Sequence, residues 1–140
     1  MTEDICRTDS YLRSTPATVI ASGADGSIEL DRSVFYPSGG GQPGDSGRLI
    51  AADGRIVPII GCSYGTTNPS TGRRAILHLP APGYPPLAIG DSVTAELDWQ
   101  RRYRLMRAHT GLHLLCAIVP FPVTGGQVGE AEGRLDFDIP

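Results

Sequence analysis

Three features of the sequence predict an α+β fold. Short alternating apolar segments run from residue 16 to about residue 99, cut by Gly, Pro and Asp turns; helical spacing begins at Trp99; and an alternating segment returns at residues 132–139. The six or seven short strands of the first part suit a small β-barrel or sandwich. The helix and the strand after it read as the opening of a second unit, which divides the chain into residues 1–98 and 99–140.

Each element follows from local chemistry. Residues 17–22 and 27–31 flank Gly23-Ala-Asp-Gly26, where Asp-Gly tolerates the positive φ of a tight hairpin turn. Residues 34–36 are predicted as a third strand. Residues 48–52 and 55–60 flank Asp53-Gly54 as a second hairpin, in which Pro58 implies an edge or a bulge because it cannot donate to a ladder. The polar stretch 65–72 is predicted as a loop and 75–79 as a strand. In 92–98 the alternation of Val93, Ala95 and Leu97 marks a half-buried strand. From Trp99, Leu105, Ala108, Leu112, Leu115 and Val119 recur on one helical face until Pro120 and Pro122 end it; residues 120–126 are then expected to be a loop.

Composition narrows the function. Gly 18 and Pro 12 in 140 residues mark an ordered, turn-rich chain able to bury a core. The apolar runs are too short to span a bilayer and Met1-Thr-Glu-Asp-Ile lacks a signal-peptide layout, so a cytoplasmic protein without membrane association is expected. Cys6, Cys62 and Cys116, odd in number and widely spaced, argue against a disulfide framework. A net charge of −3 argues against non-specific coating of nucleic acid, yet all twelve basic residues are Arg, and Arg101, Arg102, Arg104 and Arg107 cluster. Such a cluster serves either phosphate contacts or a solvated helix face.

Two patterns carry possible chemistry. His109 and His113 lie four apart, so a helix sets them one turn apart within reach of a single ion; they are compatible with zinc ligation and with partly buried, hydrogen-bonded imidazoles. Cys116, three residues on, is either a third ligand or a packed core thiol. In Phe35-Tyr-Pro-Ser-Gly-Gly-Gly-Gln-Pro-Gly-Asp-Ser-Gly47, Gly39, Gly40 and Gly41 lack Cβ atoms and would let backbone amides approach a bound group, with Gln42 as neutral donor and acceptor; a long turn between strands is the alternative.

Taken together, that Gly-rich motif, Arg104-Leu-Met-Arg-Ala-His-Thr-Gly-Leu-His-Leu-Leu115 and Gly126-Gln-Val-Gly-Glu-Ala-Glu-Gly-Arg-Leu-Asp-Phe-Asp138 resemble, in order and spacing, the editing-domain motifs of alanyl-tRNA synthetases and their free-standing relatives. The resemblance runs from about Val19 to the C-terminus. It implies a β-rich N-terminal domain followed by the start of an α+β zinc-bearing editing domain, and a trans-editing hydrolase that deacylates alanine tRNA mischarged with serine, and with glycine in a wider range. It implies zinc as cofactor and tRNA as partner. His109 and His113 would be metal ligands that, with Gln42, form the catalytic set. Ser33, Gly39, Gly40, Gly41, Gln42, Arg101 and Arg104 would meet substrate, with Ser33 and Gln42 as hydroxyl sensors; Ser33 otherwise reads as an ordinary strand residue. The family completes its metal site with a Cys-x-x-x-His motif that residue 140 precedes, so a truncated editing domain is expected. A non-catalytic tRNA-binding module and a piece of an alanyl-tRNA synthetase are the competing readings.

Overall fold

A computed structural model describes residues 1–140. Strands β1 (Glu3–Asp4) and β4 (Arg32–Ser33) pair in parallel, and a 3₁₀ turn (Ile5–Arg7) follows β1. Six longer strands, β2 (Ser14–Ser22), β3 (Ile28–Leu30), β5 (Gly47–Ala51), β6 (Ile56–Thr67), β7 (Arg74–Pro80) and β8 (Ser92–Leu97), pair in the order β2-β3-β7-β6-β5-β8 and close as a barrel. Closure removes the free edges that a sandwich would leave. Helix α1 (Trp99–Ile118) leaves β8 and ends against an antiparallel hairpin of β9 (Val123–Val128) and β10 (Gly133–Phe137). The whole is mixed α+β, mostly strand with one helix, and no helix is long and apolar enough to cross a membrane.

Inward-facing residues alternate along the barrel strands, as a two-residue period requires. Val19, Leu30, Leu49, Val57, Ile76 and Ala95 belong to one buried cluster of 16 residues. The β6–β7 register shifts between Ile59 and Gly61, and the extra residue reverses the inward parity: Val57 and Ile59 point in before it, Cys62 after it.

Several sequence expectations are corrected. Of the two alternatives for Pro58, the edge is excluded: it pairs with Arg48 in the barrel wall, next to that bulge. Val34, Phe35 and Tyr36 form no strand. Val34 and Phe35 are fully buried, while the Tyr36 N–H donates to Asp45 Oδ2 at 2.7 Å and turns the chain into the Gly-rich loop. β6 extends to Thr67, so the 65–72 loop shrinks to a turn in which Asn68 Oδ1 accepts from the amides of Ser70 and Thr71. Residues 123–126, expected as loop, belong to β9. Of the helical stripe only Leu105 is buried, and Leu115 is exposed.

His78 is the one polar ring inside the barrel core. Its Nδ1–H donates to the Ile28 carbonyl at 2.9 Å, so Nε2 accepts from the Ser33 hydroxyl at 2.8 Å. Burial lowers its pKa from 6.5 to about 4. The unfolded chain therefore takes up this proton first as pH falls. Stability is complete above about pH 6.5 and declines toward pH 4, by at most roughly 3 kcal/mol. Urea unfolding of wild type and His78→Leu across that window tests this; an identical pH slope in the variant would assign the acid sensitivity to other groups.

Candidate functional site

The Gly-rich segment is built as a tight turn. Gly39 and Gln42 exchange N–H···O bonds of 3.0 Å in both directions, and between them Gly40 and Gly41 have φ of 59° and 76°. Two successive positive φ values are the geometry that favours glycine over any residue with a Cβ. The Tyr36 hydroxyl donates to Gly39 O at 2.8 Å, and Gly41 O accepts from Val128 N of β9 at 2.7 Å. The amides of Gly39 and Gln42 are thus engaged by the turn itself, and the missing Cβ atoms serve the bend and the approach to β9.

The turn sets Gln42 against α1. Asp98 caps the helix by accepting from Arg101 N at 3.0 Å, and about three turns beyond the cap His109 faces the barrel side. His109 Nδ1 lies 2.8 Å from Gln42 Oε1. An amide oxygen only accepts, so Nδ1 carries the proton and Nε2 keeps its lone pair. His113 stacks on His109 with centroids 5.0 Å apart and planes 12° from parallel. Partial burial, then the neighbouring His113, lower the His109 pKa and favour the neutral ring that a metal requires.

The donor set fits part of a zinc site. A ring whose second nitrogen is fixed by an acceptor is the usual state of a zinc-ligating histidine. No third His, Cys, Asp or Glu is gathered with the pair to hold an ion. Cys116 lines a cavity with both histidines but joins no such cluster. The chain itself offers two ligands where a tetrahedral site takes about four.

Cavities flank the pair on two sides. One of about 360 Å³ lies between the N-terminal turn and α1, walled by Arg7, Ser10, Tyr36, Gln42, Met106 and Thr110 besides the two histidines. The other, about 340 Å³, is more apolar, with Leu112, Val123, Val128 and Leu135 around Gly40 and Gly126. Cys6 also lines the first, but burial and the Asp4 carboxylate push its thiol up to about 12, so it remains protonated and unreactive at neutral pH. The N-terminal wall was not legible in the sequence: residues 6–10 carry no motif and reach the site only through the packing of the first turn.

The other expected site residues are engaged within the fold, and of them Arg102 also lines the first cavity. Ser33 is fully buried in the barrel, bonded to His78 and to Phe35 N, and lines neither cavity. Arg101 donates to Gly44 O at 2.8 Å and to Glu130 Oε1 at 2.6 Å; Arg104 donates to Glu130 Oε2 at 2.9 Å. Arg107 rests over the Tyr103 ring. Arg102, read in the sequence as a possible phosphate contact, is 2% exposed and binds Asp45 and the carbonyls of Ser10 and Val34. Nothing in the linear order points to that partner, although Asp45 sits within the Gly-rich motif.

No family model matches the chain. Among curated proteins it is 36% identical over 148 residues to the alanyl-tRNA editing protein AlaX-M of Methanosarcina mazei, covering 99% of this chain and 56% of that protein. It is 31% identical to the protein of the same name from Saccharolobus solfataricus, covering 57% of it. A match of 32% to the alanine–tRNA ligase of Pyrobaculum neutrophilum covers 97% of this chain and 14% of the ligase. The chain spans little more than half the length of the editing proteins it matches. It is by sequence a homologue of the alanyl-tRNA editing proteins, sharing nearly its whole length with them and with a segment of the alanine–tRNA ligases.

Proposed function

We propose that the chain carries the Gly-rich loop and histidine-helix portion of a trans-editing hydrolase that cleaves the ester of alanine tRNA mischarged with serine, or with glycine. The observation that carries this reading is the 2.8 Å contact between Gln42 Oε1 and His109 Nδ1. It joins two of the three motifs of the resemblance in the lining of one cavity. His109 and His113 would hold zinc through their free ring nitrogens, with the remaining ligands supplied from outside residues 1–140. Zinc, when bound there, supplies a positive charge that polarises an ester carbonyl or a water.

The chain's own residues have distinct roles. Gln42 fixes the ring and tautomer of His109 through its oxygen, while its amide N–H₂ has no protein partner and can donate to a serine hydroxyl. A site that hydrogen-bonds a hydroxyl discriminates against alanine, which would leave those donors unpaired. Cys6 stays a thiol, which disfavours a covalent acyl-enzyme through it.

A second reading, a tRNA-binding module without catalysis, is favoured by the absence of a third ligand beside the two histidines. Zinc affinity by competition with a chromogenic chelator, measured together with deacylation of seryl-tRNA, separates the two. Gln42→Ala is expected to weaken zinc binding about 10–100-fold and to slow deacylation comparably. A chain that binds tRNA but neither binds zinc nor deacylates supports the module; unaltered zinc affinity in Gln42→Ala removes Gln42 from this role.

A further inference from the structure

The first turns of α1 carry Arg101, Arg102 and Arg104 and no acidic side chain. Cations there oppose the helix macrodipole, whose positive end is the N-terminus. Arg102 is compensated by buried Asp45. Arg101 and Arg104 converge instead on one residue of the β9–β10 turn: Glu130 accepts from Arg101 at Oε1 (2.6 Å) and from Arg104 at Oε2 (2.9 Å). Each guanidinium takes a separate oxygen, an arrangement that a phosphodiester reproduces with its two free oxygens.

The surroundings suit a nucleic acid strand. Arg13, from the segment before β2, lies over the Trp99 ring at 4.6 Å, Trp99 stacks on Tyr103 at 5.6 Å, and Arg107 lies over Tyr103 at 5.9 Å, so two stacked rings of α1 carry a cation at each end. The Glu130 side chain is 41% exposed. It sits in a short turn closed by Gly129 N to Glu132 O at 2.8 Å, a bond that does not involve the Glu130 side chain. The carboxylate can therefore leave the arginines without unmaking β9 or β10.

We propose that Glu130 is a built-in occupant of a backbone-phosphate site formed by Arg101 and Arg104, displaced when the acceptor end of a tRNA docks on the first half of α1. This rests on the tRNA reading above and adds to it a device that tempers affinity. A phosphate that replaces Glu130 exchanges one anion for another, so the pair contributes little net charge neutralisation. With Glu130 neutral, the same contact neutralises a phosphate outright and releases counterions.

The test measures binding of uncharged alanine tRNA to the 140-residue chain over a salt series. Glu130→Gln is expected to bind about 3–10-fold tighter at low salt, with a log–log salt slope steeper by about 1. Glu132→Gln removes the same charge from the same turn, but Glu132 makes no ion pair; it is expected to leave affinity near wild type. Adding Arg104→Ala to Glu130→Gln should abolish the gain. Weaker or unchanged binding by Glu130→Gln, or equal gains in both glutamine variants, overturns the proposal while leaving the tRNA reading intact. Failure of wild type and variants alike to bind tRNA overturns that reading and this one with it.

Discussion

Arg102→Ala is expected to cost about 3–5 kcal/mol of folding stability, because it leaves Asp45 as a buried charge without its partner. Asp45 is 1% exposed, and its Oδ2 carries the Tyr36 amide as well as the Nε and a terminal nitrogen of Arg102. Its Oδ1 has no partner at all, so the site holds no spare donor to compensate. The same guanidinium binds Val34 O at 2.7 Å and Ser10 O at 3.1 Å, tying α1 to the N-terminal turn, the barrel exit and the Gly-rich loop together. Denaturant unfolding of wild type and variant measures the loss. Replacing both members of the pair by apolar residues of similar volume should recover part of it, since no charge is then stranded. A loss below about 1 kcal/mol would mean that water reaches Asp45 and the pair behaves as a surface one.

Gly41→Ala is expected to be the most damaging small substitution for the site. A Cβ at Gly41 would lie 2.6 Å from Gly126 O, in a backbone already at φ +76°. The positive φ costs about 1–3 kcal/mol. The clash is with backbone that cannot step aside without breaking the 2.7 Å bond from Val128 N to Gly41 O. Gln42 is the next residue, so any shift moves its oxygen from His109, and a displacement of about 1 Å at a reacting centre can cost on the order of 10²-fold in rate. Gly54→Ala is the matched control: it has φ +87° but open space around its Cβ. It should show the backbone cost with no loss of the zinc binding and deacylation proposed above. Equal behaviour of the two variants would attribute the Gly41 effect to φ alone and detach the β9 contact from the site.

The linear order of residues determined a good deal by itself. Both Asp-Gly hairpins, the Val93–Ala95–Leu97 alternation and the start of α1 after Asp98 follow from neighbours in the chain, where turn chemistry, the two-residue period and capping act locally. The placing of His109 and His113 on one helical face is local in the same sense. The pairing of Gln42 with His109 was only implied, through two motifs that a known family keeps together.

Tertiary structure alone decided the rest, because the deciding partners are far apart in sequence. Arg102 reads as one more exposed cation until folding brings Asp45 to it across 57 positions. Ser33 reads either as a hydroxyl sensor for substrate or as an ordinary strand residue until His78, 45 positions away, claims its hydroxyl. Glu130 is one acid in a turn until closure of β9 on β10 lays it against Arg101 and Arg104. Composition shows that such charges exist; only the packing of helix on barrel fixes which are buried, which are paired and which remain open to a substrate, since desolvation and ion pairing depend on distance in space.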